Sequence, residues 1–143
     1  MLPDDKRVEF LRGVELFGQA NPAILAQVAQ VAEEVHIPAG TVFIKEGTPG
    51  DCLYILMAGE ARVVMKGVGL VAFRRPKRTI GEMSLISGRA RAADCVAVTD
   101  LTTLRIARDD FWTLMHQHPE LALGAMRVMT ARLEEIVQPD WDL

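Results

Sequence analysis

Residues 38–64 read PAGTVFIKEGTPGDCLYILMAGEARVV, and this stretch decides the fold class. Pro38-Ala39-Gly40 is a turn, followed by the β-rich TVFIK. Gly47, Pro49 and Gly50 mark a second turn before the run LYILMAGEARVVM. Gly67 and Gly69 break that run, and LVAF resumes after them. Further on, AADCVAVTDLTTLRI carries two more strands, divided near Thr99-Asp100. Short apolar strands between Gly and Pro turns predict an antiparallel sheet rolled into a barrel, because closure hides the sheet edges.

On both sides of this region the apolar period becomes helical. Asn21-Pro22 is a helix start, Asn as N-cap and Pro at the first position, with Ile24, Leu25, Val28, Val31, Ala32 and Val35 following at helical spacing. An earlier set, Val8, Phe10, Leu11, Val14 and Leu16, predicts a short helix or turn. After the strands, Asp109-Asp110 can cap a short helix, FWTLMHQH. Pro119 restarts a helix with Leu121, Ala122, Ala125, Met126, Met129, Leu133, Ile136 and Val137 on one face, and Pro139 stops it. The expectation is an α+β chain: an antiparallel β-roll (jelly-roll-like barrel) flanked by N-terminal and C-terminal helices. One domain spans 1–143, with helices over 7–35, the roll over 36–107 and C-terminal helices over 109–138.

Composition excludes several classes. Half of the 143 residues are hydrophobic and 24% are charged, which fits a folded globular chain rather than a disordered one. No apolar run approaches the length of a membrane span, and the first ten residues lack the apolar core of a secretion signal, so a cytoplasmic location is expected. Two cysteines, Cys52 and Cys95, are too few for a disulfide scaffold or a four-cysteine metal site and predict free thiols. The three histidines, His36, His116 and His118, form no metal-binding pair on a strand, so no metal and no enzyme activity are expected. Charge is uneven: residues 61–93 hold eight basic residues and one acid, +7, against −10 for the rest of a chain of net charge −3. A positive middle in an acidic protein fits a small anionic ligand; solvated basic hairpins fit it as well.

The chemistry concentrates in residues 80–95, IGEMSLISGRARAADC. Gly81 lets a backbone approach a ligand closely, and the amides after it can point at an anion. Arg91 can return to the same anion with a forked guanidinium. Glu82 repels phosphate but accepts hydrogen bonds from a sugar hydroxyl. One carboxylate beside one arginine therefore suits a ligand with both a phosphate and a hydroxyl. A plain Glu82–Arg91 ion pair across the turn fits the same pattern.

The stretch GEMSLISGRARAADC resembles the phosphate-binding cassette of cyclic nucleotide-binding domains, found in protein kinase regulatory subunits, catabolite activator proteins and cyclic nucleotide-gated channels. The strand region, with Gly47, Gly50, Asp51 and Gly59 at turn positions, and the segments Asp110-Phe111 and His118-Pro119-Glu120-Leu121 extend the resemblance over roughly residues 7 to 137. It implies that Arg91 pairs with a cyclic phosphate and that Glu82 binds the ribose 2′-hydroxyl. It further implies that backbone groups of Gly81, Met83, Ser84 and Ala92 complete the cradle. Val63, Val64 and Val71 become candidates for the wall against the base. Arg132, beside the apolar face of the last helix, matches an arginine that covers the base in bacterial channel relatives; a solvated helix arginine is the alternative. Ala92 stands where members favouring cyclic GMP often carry threonine, so the implied ligand is cAMP, with cGMP as the alternative. One segment departs from the family: Arg74-Arg75-Pro76-Lys77-Arg78 replaces a Gly-Pro-Gly-Asp turn, and a solvated basic hairpin end is expected there, with phosphate attraction through the local field or a docking surface as the alternatives.

The resemblance implies a non-catalytic cyclic nucleotide sensor whose C-terminal helices rearrange on binding and are read by an effector domain or protein. The alternative is a degenerate β-roll that binds a protein without nucleotide. Only Asp140-Trp141-Asp142-Leu143 follows Pro139, so no DNA-binding helix-turn-helix and no membrane segment are expected in this chain, and a homodimer stays open.

Overall fold

The computed structural model describes residues 3–137. The order is α1 (Asp4–Arg12), a 3-10 turn (Glu15–Phe17), α2 (Pro22–Val31), β1 (Glu33–Ile37), β2 (Val42–Ile44), β3 (Cys52–Ala58), β4 (Ala61–Met65), β5 (Gly69–Arg74) and β6 (Thr79–Ile80). There follow α3 (Glu82–Ser87), β7 (Asp94–Ala97), β8 (Leu101–Ala107), α4 (Arg108–Gln117) and α5 (Pro119–Val137). The expected helix end at 138, the stop at Pro139 and residues 140–143 lie outside the described residues.

Two four-stranded antiparallel sheets, ordered β1-β8-β3-β6 and β2-β7-β4-β5, make the expected roll. The first sheet is covered on both faces. Leu53, Ile55, Leu104 and Ile106 face the helices and join Leu11, Phe17, Leu25, Val28 and Phe111 in one core. Leu56 and Leu101 face inward and join Ile37, Ile44, Ala61, Ile80, Cys95 and Ala97 in a second core inside the roll. The period-2 alternation of side chains produces this division.

Two expectations need correction. The helix expected through Val35 stops at Val31, because Ala32 turns to extended backbone and Glu33–Ile37 pairs with β8. The apolar set continues past the helix because strand residues supply its last members. The run 53–65 forms β3 and β4 and turns at Gly59, a turn position in the resemblance, with φ 99°. Asp109 and Asp110 lie in the first turn of α4, where they complement the helix dipole, and neither side chain caps it; the N-cap is Ala107. The Asn21 cap does form, its side chain accepting from the Ile24 amide at 2.9 Å.

The buried face of α5 is Leu121, Gly124, Ala125, Val128 and Arg132, while Met126 and Leu133 of the expected face are exposed. Gly124 causes the shift. A Cβ there would overlap the Leu16 carbonyl oxygen, so α5 rests with its bare backbone on the 3-10 turn. No described helix is long and apolar enough to cross a membrane.

Candidate functional site

The roll, α3 and α5 enclose a cavity of about 480 Å³. Gly81, Glu82, Met83, Ser84, Arg91, Ala92, Val63 and Arg132 all line it, so eight expected residues share one space. Val64 and Val71 do not line it, and this corrects the expected wall. Val63 and Val64 are neighbours on β4, so only one can face inward. On β5 a bulge pairs Val63 with Ala72 and Val64 with Leu70, leaving Val71 between them and exposed.

Gly81 caps α3 in the left-handed region, with φ 87°. A Cβ there would stand 2.5 Å from Arg91 Nη1, so the glycine is needed for both its φ and its close contact. Arg91 is buried; its Nη1 donates to the Gly81 carbonyl at 2.6 Å and its Nη2 to the Cys52 carbonyl at 2.6 Å. Asp51, on the solvent side, lies 3.9 Å from Nη2. Carbonyl partners leave the Arg91 charge largely uncompensated. The alternative Glu82–Arg91 pair does not form.

Glu82 pairs with Arg132 instead. Arg132 Nε donates to Glu82 Oε1 at 3.0 Å and Nη2 to the Thr79 carbonyl at 2.7 Å. Glu82 is 2% exposed and Arg132 is 5% exposed, so Arg132 is not a solvated helix arginine. Arg132 Nη1 also lies 3.6 Å from Glu135, which lies 3.5 Å from Arg74.

Arg74 also lines the cavity, whereas Arg75 and Lys77 are exposed. The basic stretch is therefore not wholly a solvated hairpin end. Strand phase is the signal that separates its members: Ala72 and Arg74 point in, Val71 and Phe73 out. Burial, then the neighbouring Arg132 guanidinium, lowers the Arg74 pKa against the pull of Glu135 and Glu82. Cys95 on β7 is a further wall residue missed from sequence, and burial pushes its thiol up to about 12. Ser84 Oγ, packed against the Gly50 backbone, is buried with no hydrogen-bond partner in the structure. Four arginines (74, 89, 91 and 132) against one carboxylate make the lining cationic. Among the described residues no group of three or more His, Cys, Asp or Glu could hold a metal ion.

Comparison with known proteins gives a consistent family. The sequence model for the cyclic nucleotide-binding domain matches residues 34–118. The chain is 38% identical over 107 residues to a cAMP-dependent protein kinase regulatory subunit of Aspergillus fumigatus, covering 74% of this chain and 26% of that one. It is 31% identical over 114 residues to a cyclic nucleotide-gated potassium channel of Mesorhizobium japonicum, covering 80% of this chain and 31% of that one. A solved cyclic nucleotide-binding domain from Methylobacillus flagellatus superposes with a TM-score of 0.78 at 27% identity, covering 92% and 79% of the two chains. The chain thus spans 26% and 31% of the two curated relatives' lengths.

Proposed function

The chain belongs to the cyclic nucleotide-binding domain family, and we propose that it is a non-catalytic sensor that binds cAMP, or cAMP and cGMP equally, in the cavity beneath α5. The observation that carries this reading is that Glu82 and Arg91 open onto one cavity without pairing with each other. A cyclic phosphate meets the Arg91 guanidinium, whose short hydrogen bonds go to neutral carbonyls with Asp51 3.9 Å away, together with the amides that follow Gly81. The unpartnered Ser84 hydroxyl supports the fit, since leaving such a group buried costs about 1–3 kcal/mol. The ribose 2′-hydroxyl donates to Glu82. Ala92 offers no side-chain hydroxyl to a guanine, which favours cAMP.

Binding becomes a signal at Arg132. A hydroxyl that reaches Glu82 competes with the Arg132 guanidinium, so filling the cavity loosens α5 from the roll and frees Arg132 to lie over the base. An effector reads the helix shift; the sensor itself breaks no bond.

Titration calorimetry with cAMP, cGMP and a cyclic dinucleotide tests the proposal. Heat with cAMP is expected, and no heat with either mononucleotide at millimolar concentration would refute it. Arg91→Ala should weaken binding by roughly 2–5 kcal/mol, on the order of 30- to several-thousand-fold. Arg89→Ala, at the exposed rim, should cost much less, and equal losses would contradict the assignment.

A further inference from the structure

A second cleft, of about 370 Å³, lies on the far side of Arg91 from the nucleotide cavity. Arg91 forms part of both linings and acts as the partition between them. Its Nη1 is turned to Gly81 on the first side, and its Nη2 to Cys52 and Asp51 on the second. Lys45, Arg105 and Tyr54 complete the polar part of the second cleft, with Phe43 and Pro49 at its border. The ion pairs of the described residues include neither Lys45 nor Arg105, and Glu33 stands opposite Arg105 across the β1–β8 pair. Arg105 stands opposite Tyr54 across the β3–β8 pair, with Cys52 two residues before Tyr54 on β3, and burial raises the pKa of both the thiol and the phenol. Asp51 is the one acid in the lining, and its side chain is 75% exposed. Three cations and a phenol therefore face one polar cleft whose lining carries one solvated acid, Asp51, with Glu33 beside Arg105 on the neighbouring strand.

We propose that this cleft is a second anion site, for a phosphoryl group, built on Arg105 and Lys45 with Tyr54 as a donor. A guanidinium fork and an ammonium suit a compact dianion better than a single-charge carboxylate. The cleft is several times larger than one phosphate, so both inorganic phosphate and a small phosphomonoester fit. In the ester case the organic part lies against Phe43 and Pro49.

The test is an amide-resonance titration of the full chain at constant ionic strength, with inorganic phosphate in one arm and phenyl phosphate in the other. Saturable shifts at Lys45, Thr48 and Tyr54 are expected in at least one arm. Tighter binding of phenyl phosphate would identify an ester as the ligand, and equal binding would identify free phosphate. Arg105→Gln should weaken these responses by about tenfold or more while leaving any response at Met83 and Ala92, in the first cavity, unchanged. Arg105→Lys, which keeps the charge and loses the fork, should weaken them less. No saturable shift at tens of millimolar in either arm would overturn the proposal, as would shifts that persist unchanged in Arg105→Gln. Because the reporters for the two cavities differ, failure here is distinct from failure of the nucleotide reading.

Discussion

Arg132 and Glu82, fifty positions apart in sequence, meet through a 3.0 Å hydrogen bond that ties α5 to the first residue of α3. The pair is buried and extends outward through Glu135 to Arg74, so four side chains alternate in sign from the cavity floor to its rim.

Breaking this pair from one side leaves an uncompensated buried charge. Arg132→Ala should therefore destabilise the ligand-free chain by about 3–5 kcal/mol, read as a lower urea midpoint. Arg132→Ala combined with Glu82→Ala should cost less than the two single changes added. Strict additivity would show that the pair is not coupled. If the proposed competition for Glu82 holds, 2′-deoxy-cAMP, which lacks the competing hydroxyl, should leave hydrogen exchange in α5 near the ligand-free level.

Among the described residues Lys77 is the one non-glycine residue with positive φ, 73°, at the third position of a turn closed by the Arg78 amide on the Arg75 carbonyl at 3.1 Å. With Pro76 at the second position, this is the geometry of a type II turn, which favours glycine there. Lys77→Gly should raise stability by about 0.5–1 kcal/mol after the added freedom of the unfolded chain is counted. A denaturation midpoint that falls would contradict this account of the turn.

Two glycines give a contrast in packing. Gly124→Ala places a methyl into the Leu16 backbone and should cost about 1–3 kcal/mol, with increased exchange in the 3-10 turn. Gly18→Ala, whose nearest neighbour is 3.4 Å away, should be nearly neutral. Similar losses at both positions would mean that the close seat of α5 contributes nothing.

The Cys95 thiol supplies a pH dependence. Its pKa rises from 9.0 to about 12, so the folded chain keeps a proton that the unfolded chain releases. This contribution is full below about pH 9 and is lost as pH climbs toward 12. Cys95→Ala should make the alkaline fall in stability shallower over that window. An unchanged profile would show that the thiol does not take part.

Local spacing identifies part of this site and misses another part for definite reasons. Gly81, Glu82 and Arg91 can be read from sequence because one turn of helix and one loop bring them together. Arg74 resembles its basic neighbours in composition, and only the phase of β5, reset by a bulge, turns it inward. The same bulge displaces Val71. The partner of Glu82 lies beyond reach of pattern, since Arg91 is nine positions away and chemically suitable, while Arg132 arrives by the docking of α5. That docking depends on Gly124, which in sequence marks only a weak helix residue.

The two attachments of α5 also set how far a disturbance would travel. Gly124 seats the helix on the Leu16 backbone, and Arg132 fastens it to Glu82, about 12 Å further along the axis. The first acts as a pivot, since backbone against backbone leaves no side chain to slide. The second acts as a catch. With the catch released, a tilt of about 10° would barely move Gly124 but would carry residue 137, about 20 Å from the pivot, through about 3 Å. On the proposed function, a single hydroxyl at Glu82 would be converted into a displacement that grows with distance along the helix.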